Sequence, residues 1–185
     1  PAERITKALN DILASENRCG KRAGAVRIID AQEVSMDFHA RYDARAKTYI
    51  YRIRNMNNIS VFERNLCLFV RDQLDLDAMK TAAKKIEGTH DFACFQAAGG
   101  QKRYTTVRTI ESADVTVNND GIIEIIVTGN GFLYKMVRII AGTLIEVGSG
   151  RMDAEDIGDI IRSKERNRAG HTAPPQGLFL ADIYY

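Results

Sequence analysis

The chain has 185 residues, 45% hydrophobic and 27% charged, a composition that excludes intrinsic disorder and allows one ordinary domain, or one domain with a piece of another. A net charge of +2 with a pI near 8.6 is too mild to point to nucleic acid by itself. The longest apolar stretch, inside Phe132 to Val147, is interrupted by Lys135, Arg138 and Glu146, which excludes a membrane span and predicts a buried helix.

The chain opens on Pro1 and not on an initiator methionine, and its first residues show no secretory signal. Ile5, Ala8, Leu9, Ile12 and Leu13 recur at helical spacing ahead of Gly20, predicting a short amphipathic helix. Ala25 to Ile29 is short and β-branched and reads as a half-buried strand. Ala46 to Arg54 alternates as a strand does, with Lys47, Tyr49, Tyr51 and Ile53 on one face and Thr48, Ile50, Arg52 and Arg54 on the other.

A further strand is expected at Leu66 to Val70, then a helix carrying Leu76, Met79, Ala82, Ala83 and Ile86, then a loop from His90 to Arg103. Strands at about Thr106 to Val117 and Ile122 to Val127 flank Asn118, Asn119, Asp120 and Gly121, a strong hairpin signal. Gly129, Asn130 and Gly131 break the pattern before the Phe132 to Val147 helix, which Gly148 and Gly150 end. A helix at Asp153 to Ile161, a loop at Asn167 to Gln176 and a closing strand at Leu178 to Tyr184 complete an α+β arrangement with a mostly antiparallel sheet and helices on one face.

Cys19, Cys67 and Cys94 are odd in number, far apart and without a C-x-x-C pair, so reduced thiols in a cytoplasmic protein are expected. His39, His90 and His171 are equally scattered, and neither residue type has zinc-site spacing. Bases cluster at Arg41, Arg45, Lys47, Arg52 and Arg54, and again at Lys102, Arg103 and Arg108; each cluster reads either as a solvated strand face or as a surface that tracks phosphates.

Three features carry chemistry. Arg138 is a permanent cation among Met136, Val137, Ile139 and Ile140, so it needs a partner: an internal carboxylate, a strand edge, water, or a carboxylate nucleophile that it orients. Tyr49, near Arg45 and Lys47, is either packing or a stacking surface for a base. Gly177 lets the chain swing Leu178 into position after a proline-rich loop, or simply starts a strand.

Asp37 to Tyr51 (DFHARYDARAKTYIY), Gly129 to Gly148 (GNGFLYKMVRIIAGTLIEVG) and Thr172 to Leu180 (TAPPQGLFL) together resemble the tRNA pseudouridine synthase A family in order and spacing. His90, Asp91 and Phe92 fit the same pattern, as do Val107 to Ile110. The resemblance implies two similar ferredoxin-like or RRM-like α+β halves, with residues 1–45 the tail of the first and 46–185 the second, in a homodimer. It also implies isomerisation of uridine to pseudouridine in the anticodon arm of tRNA, without metal or cofactor, on a nucleotide flipped out of its stack.

By the same resemblance, an aspartate in a Gly-Arg-Thr-Asp segment is the nucleophile. Tyr49 then matches the tyrosine that stacks on the target base and is a candidate proton acceptor, Arg138 the arginine that pairs with the aspartate, and Leu178 the apolar wall of the base pocket. Arg41, Arg45, Lys47, Lys102 and Arg103 are the RNA-binding candidates. No Arg-Thr-Asp triplet occurs in the chain, so it is expected to lack the nucleophile and to be inactive alone. Lys47 and Thr48 stand where paired bases are common, and Phe179 where tyrosine is frequent. The alternative is a noncatalytic RNA-binding or dimerisation module that uses the same basic strand.

Overall fold

The computed structural model describes residues 2–15, 18, 20, 23–56, 61–100 and 104–185. The chain divides into two compact units, Pro1–Asp43 and Ala44–Tyr185. In the first, helix α1 (Ala2–Ala14) forms as its apolar spacing predicts. The strand expected at Ala25 to Ile29 does not form. The Asn10 side chain instead takes both main-chain groups of Ile28, accepting from its N–H and donating to its carbonyl, each at 2.8 Å. A backbone satisfied in this way needs no ladder partner.

The second unit is α+β. Its strands are β1 (Ala46–Arg54), β2 (Leu68–Phe69), β3 (Gly88–Asp91), β4 (Val107–Val117), β5 (Ile123–Gly129) and β6 (Leu178–Tyr184). Along the sheet the order is β2-β1-β5-β4-β3, with β6 also paired to β1. Every pairing is antiparallel except the short β1–β2 pair. Strand β1 therefore has β5 along one edge, and it pairs with β6 over residues 46–51 and with β2 at Ile53 and Arg54.

Period-two alternation decides which residues enter the core. Tyr51, Ile53, Ala113, Val115, Ile123, Ile125 and Val127 are buried in one cluster with the apolar residues of helices α2 (Leu76–Lys84), α3 (Met136–Gly148) and α4 (Ile157–Ser163). Helix α2 starts on Asp75, whose carboxylate accepts from the N–H groups of Asp77 and Ala78 at 3.0 Å. The β4–β5 hairpin turns at Asn118, whose side-chain oxygen accepts from the N–H groups of Asp120 and Ile122, and Gly121 supplies the positive φ of 72°.

Several boundaries differ from expectation. The Leu66 to Val70 strand contracts to two residues, because Leu66 and Cys67 donate back to the Glu63 carbonyl in a turn. The expected His90 to Arg103 loop begins inside β3 and continues as a turn of 3-10 helix at Ala93–Phe95; the short strand is polar, and its partner β4 rather than its own pattern makes it a strand. Helix α3 begins at Met136, after Lys135 adopts a left-handed φ of 60°. The Asp153 to Ile161 helix starts as 3-10 at Ala154–Asp156 and becomes α-helical from Ile157 to Ser163. No described helix is long and apolar enough to cross a membrane.

One contact positions the rest of the candidate site. The segment after α4 runs so close over α3 that a Cβ on Gly142 would sit 1.9 Å from the His171 carbonyl oxygen, and one on Gly170 would sit 2.6 Å from Thr143 Cα. A glycine inside a helix costs about 1 kcal/mol relative to alanine, so it belongs where another backbone must approach. Gly142→Ala is expected to overpack this crossing at a cost of about 1–3 kcal/mol or more. The readout is the thermal unfolding midpoint, and an unchanged midpoint would show that the segment lifts away freely.

Candidate active site

Tyr49 and Tyr51 lie on the helix-facing side of β1, and the structure separates their roles. Tyr51 is fully buried, and its hydroxyl donates to the Pro174 carbonyl at 2.7 Å. Tyr49 is half-buried and meets Phe132 edge to face, ring centroids 5.0 Å apart. Burial raises the ionisation of both phenols above the usual 10.0, and the Arg138 charge pulls Tyr51 slightly the other way. Among the described residues the Tyr49 hydroxyl has no protein hydrogen-bond partner, whereas that of Tyr51 is committed to the loop.

Phe132 reaches Tyr49 because of the glycine motif before α3. Gly129 ends β5 where a Cβ would meet the Thr109 carbonyl oxygen at 2.6 Å, and Asn130 clips the turn to β4 by accepting from Thr109 N–H at 3.0 Å. Leu178 pairs with Tyr51 across β6, and Leu180 with Tyr49, so the two leucines follow the two tyrosines along the neighbouring strand. Leu178 packs against the core, while Leu180 is half exposed. Gly177 lets β6 begin there, since a Cβ would stand 2.7 Å from the Arg52 carbonyl oxygen.

Arg138 lies in the first turn of α3, which is otherwise buried except at Glu146. Its Nε donates to the Ala173 carbonyl at 2.6 Å. Among the described residues no carboxylate lies within 4.0 Å of its guanidinium, and neither Nη nitrogen has a protein acceptor. The internal-carboxylate reading of this arginine thus finds no partner among the described residues. Ile139, Ile140 and Leu144 beside it are fully buried; together they contribute roughly 5–9 kcal/mol, enough to hold a half-desolvated cation in place.

The basic candidates distribute differently. Arg41 is exposed and lies 5.8 Å from the centroid of the Tyr42 ring, Arg45 is exposed, and Lys47 is half-buried at the start of β1. Arg52 and Arg54, read with them as one basic run, are spent inside the fold: Arg52 pairs with Glu124 at 2.9 Å and covers the Phe179 ring, and Arg54 is buried against Glu63. Lys102, Arg103 and Cys19 lie outside the described residues. Cys67 and Cys94 are buried free thiols with ionisation pushed up, Cys94 to about 11, chiefly by burial, which makes both unreactive. Among the described residues there is no His, Cys, Asp and Glu grouping able to hold a metal.

A concavity of about 1010 Å³ is lined by Leu74, Asp75, Val147, Ser149 and Arg151 and lies at the far end of α3. Ten residues of helix, ~15 Å, separate that end from Arg138, and neither this concavity nor a smaller one lined by Lys85, His90 and Ile161 includes Tyr49, Arg138 or Leu178. The candidate residues lie instead where β1, the start of α3 and the 172–178 segment meet.

Comparison with known proteins identifies the family. Residues 82–185, which hold Arg138 and Leu178, match the family model described as tRNA pseudouridine synthase. The chain belongs to this family. A tRNA pseudouridine synthase A 2 of Clostridium tetani is 45% identical over all of this chain, which covers 70% of that relative. A tRNA pseudouridine synthase A of Ruminiclostridium cellulolyticum is likewise 45% identical over the whole chain, covering 71% of it, and one of Acetivibrio thermocellus is 44% identical with the same 71% coverage.

Reading the residues alone left out Tyr51, Phe132 and the Gly142–Gly170 crossing. Tyr51 was signalled by its place two residues from Tyr49 on the same strand face. Gly142 was signalled as a glycine within a predicted helix. Phe132 gave no comparable signal, because its contact with Tyr49 joins residues far apart along the chain. Phe132→Ala is expected to admit water beside Tyr49 and move its ionisation down toward the ordinary 10.0, since burial is what raised it. Tyrosine-resolved NMR titration measures this, and an unmoved titration would show that Phe132 does not shield the phenol.

Proposed function

We propose that this chain is the base-stacking and arginine side of an enzyme that isomerises uridine to pseudouridine in the anticodon arm of tRNA, without a cofactor, in the cytoplasm and as a homodimer. The observation that carries the reading is Arg138: a guanidinium anchored through Nε, with both Nη nitrogens lacking a protein acceptor among the described residues. Such a group is suited to keep a partly buried carboxylate ionised and oriented. The aspartate nucleophile comes from polypeptide outside this chain, a reading supported by the absence of an Arg-Thr-Asp triplet and by the 70% coverage of a longer relative. On this reading residues 1–45 are the tail of the first half and the isolated chain is inactive.

In the proposed reaction the carboxylate bonds to C1′ as the C1′–N1 bond breaks; the base turns, C5 bonds to C1′ as the carboxylate–C1′ bond breaks and frees the carboxylate, and the C5 proton leaves as N1 takes one up. The flipped base lies on the Tyr49 ring with Leu178 as its apolar wall. The Tyr49 hydroxyl, uncommitted to the protein, faces the base. A phenol is protonated at neutral pH, all the more where burial raises its ionisation, so it takes up the C5 proton while passing its own to N1. Exposed Arg41 and Arg45, with Lys47, Lys102 and Arg103, contact phosphates and set affinity rather than chemistry.

The test is a pseudouridine assay on the full-length protein with tRNA. Arg138→Ala is expected to lose turnover by a hundredfold or more, about the worth of charge-assisted hydrogen bonds, while tRNA affinity stays within a few fold because phosphate contacts are spread over many bases. Equal losses in turnover and affinity would contradict this assignment. Tyr49→Phe keeps the ring and is expected to bind normally but to turn over about 10²–10⁴-fold more slowly. Normal turnover in that variant would confine Tyr49 to stacking.

A further inference from the structure

The segment from Ala169 to Pro174 is tied to the rest of the unit at nearly every residue. Arg166 donates through Nη1 to the Ala169 and Gly170 carbonyls at 3.2 and 2.9 Å, and through Nη2 to the Thr172 hydroxyl at 3.1 Å. Gly170 N–H donates to the Thr143 hydroxyl at 2.9 Å, and His171 Nδ1 lies 2.8 Å from Glu146. Residues 138 and 173 then exchange two bonds: Ala173 N–H donates to the Arg138 carbonyl at 3.0 Å, and Arg138 Nε donates to the Ala173 carbonyl at 2.6 Å. The next carbonyl, Pro174, accepts from Tyr51.

Two adjacent carbonyls thus take one donor each, from α3 and from β1. Tyr51 is fully buried and its bond to Pro174 is part-buried, so losing either partner of that bond is costly. Pro174 and Pro175 limit how the main chain can move around it, since each has its φ locked. A guanidinium carries a single hydrogen on Nε and four on the two Nη nitrogens, and it grips a carboxylate either side-on, through Nε and one Nη, or end-on, through both Nη. With the Nε hydrogen engaged by Ala173, the side-on mode is closed.

We infer that Tyr51 is a positioning residue acting through Arg138: its hydrogen bond to Pro174 fixes the 173–174 main chain that anchors Nε, so that Arg138 receives its carboxylate end-on through the two Nη nitrogens. The inference rests on the proposed function for the identity of that carboxylate, and it adds a residue and a geometry to it. Tyr51 touches neither substrate nor nucleophile in this scheme. Its contribution is that of holding a long, flexible side chain in one orientation before the reaction starts.

The experiment is a double-mutant cycle in the full-length protein, reading kcat and KM for tRNA. Tyr51→Phe is expected to lower kcat about tenfold, the worth of one well-placed hydrogen bond, with KM unchanged. In an Arg138→Lys background, which has no Nε to anchor, the same substitution is expected to cost nothing further. An equal loss in both backgrounds, or a loss confined to KM, would overturn the positioning role. Pro174→Ala keeps the carbonyl and leaves the core side chain intact, and it should show the same dependence on background; independence of it would count equally against the inference.

A readout that needs no turnover separates this idea from the proposed function. In the wild-type protein the Arg138 Nε–H should exchange slowly with solvent by NMR, and Tyr51→Phe should speed that exchange about tenfold, in line with the loss of one hydrogen bond. Unchanged exchange would overturn the inference. An absence of pseudouridine from the wild-type full-length protein would overturn the proposed function, while the exchange measurement still decides whether Tyr51 anchors Arg138.

Discussion

The candidate site depends on one close approach, the passage of residues 170–173 over helix α3 at Gly142. A methyl group at that position would collide with a main-chain oxygen, so the absence of a side chain is what allows the two backbones to meet. Once they meet, the Arg138 carbonyl and the Ala173 N–H come within bonding distance, and the guanidinium of the same arginine finds the Ala173 carbonyl. A long side chain that would otherwise sample many rotamers is thereby held at one end. The far end of the guanidinium is left with the hydrogen-bonding capacity on which the proposed chemistry relies.

Strand β1 is the second organising element, because it pairs with β5 along one edge and with β6 and β2 along the other. Its alternation sorts the basic and aromatic residues by function. Tyr51 and Ile53 go to the core, Tyr49 stays at its margin, and Arg52 goes to the opposite face, where Glu124 and the Phe179 ring absorb its charge. Arg54, at the end of the strand, is buried with Glu63. A run that reads as basic in one dimension is therefore divided, and only its first members, Arg41, Arg45 and Lys47, are left without an ion pair among the described residues.

Two tyrosines two residues apart show how environment separates identical groups. Each is desolvated enough for its ionisation to rise, yet Tyr51 has its hydroxyl bound to Pro174 and Tyr49 does not. A bound phenol holds structure together; an uncommitted one beside an aromatic ring and a half-exposed leucine is available to a ligand. The same contrast holds for the cations, since Arg166 has its donors taken up by the loop while Arg138 gives it one.

The sequence by itself determined the α+β class, β1, the β4–β5 hairpin, β6, the helical stripe of α2 and the family membership, because each rests on local periodicity, turn chemistry or ordered motifs that need no partner to be legible. It also singled out Arg138, since a cation amid apolar residues stands out in one dimension. Tertiary structure alone decided that Gly88 to Asp91 forms a strand and that Ala25 to Ile29 does not, for strand formation requires a ladder partner and Ile28 already has Asn10. It alone decided that Arg52 and Arg54 are paired with glutamates, that Phe132 meets Tyr49, and which hydrogen of Arg138 is engaged. Those outcomes depend on distances between residues far apart along the chain, and packing, not pattern, sets such distances.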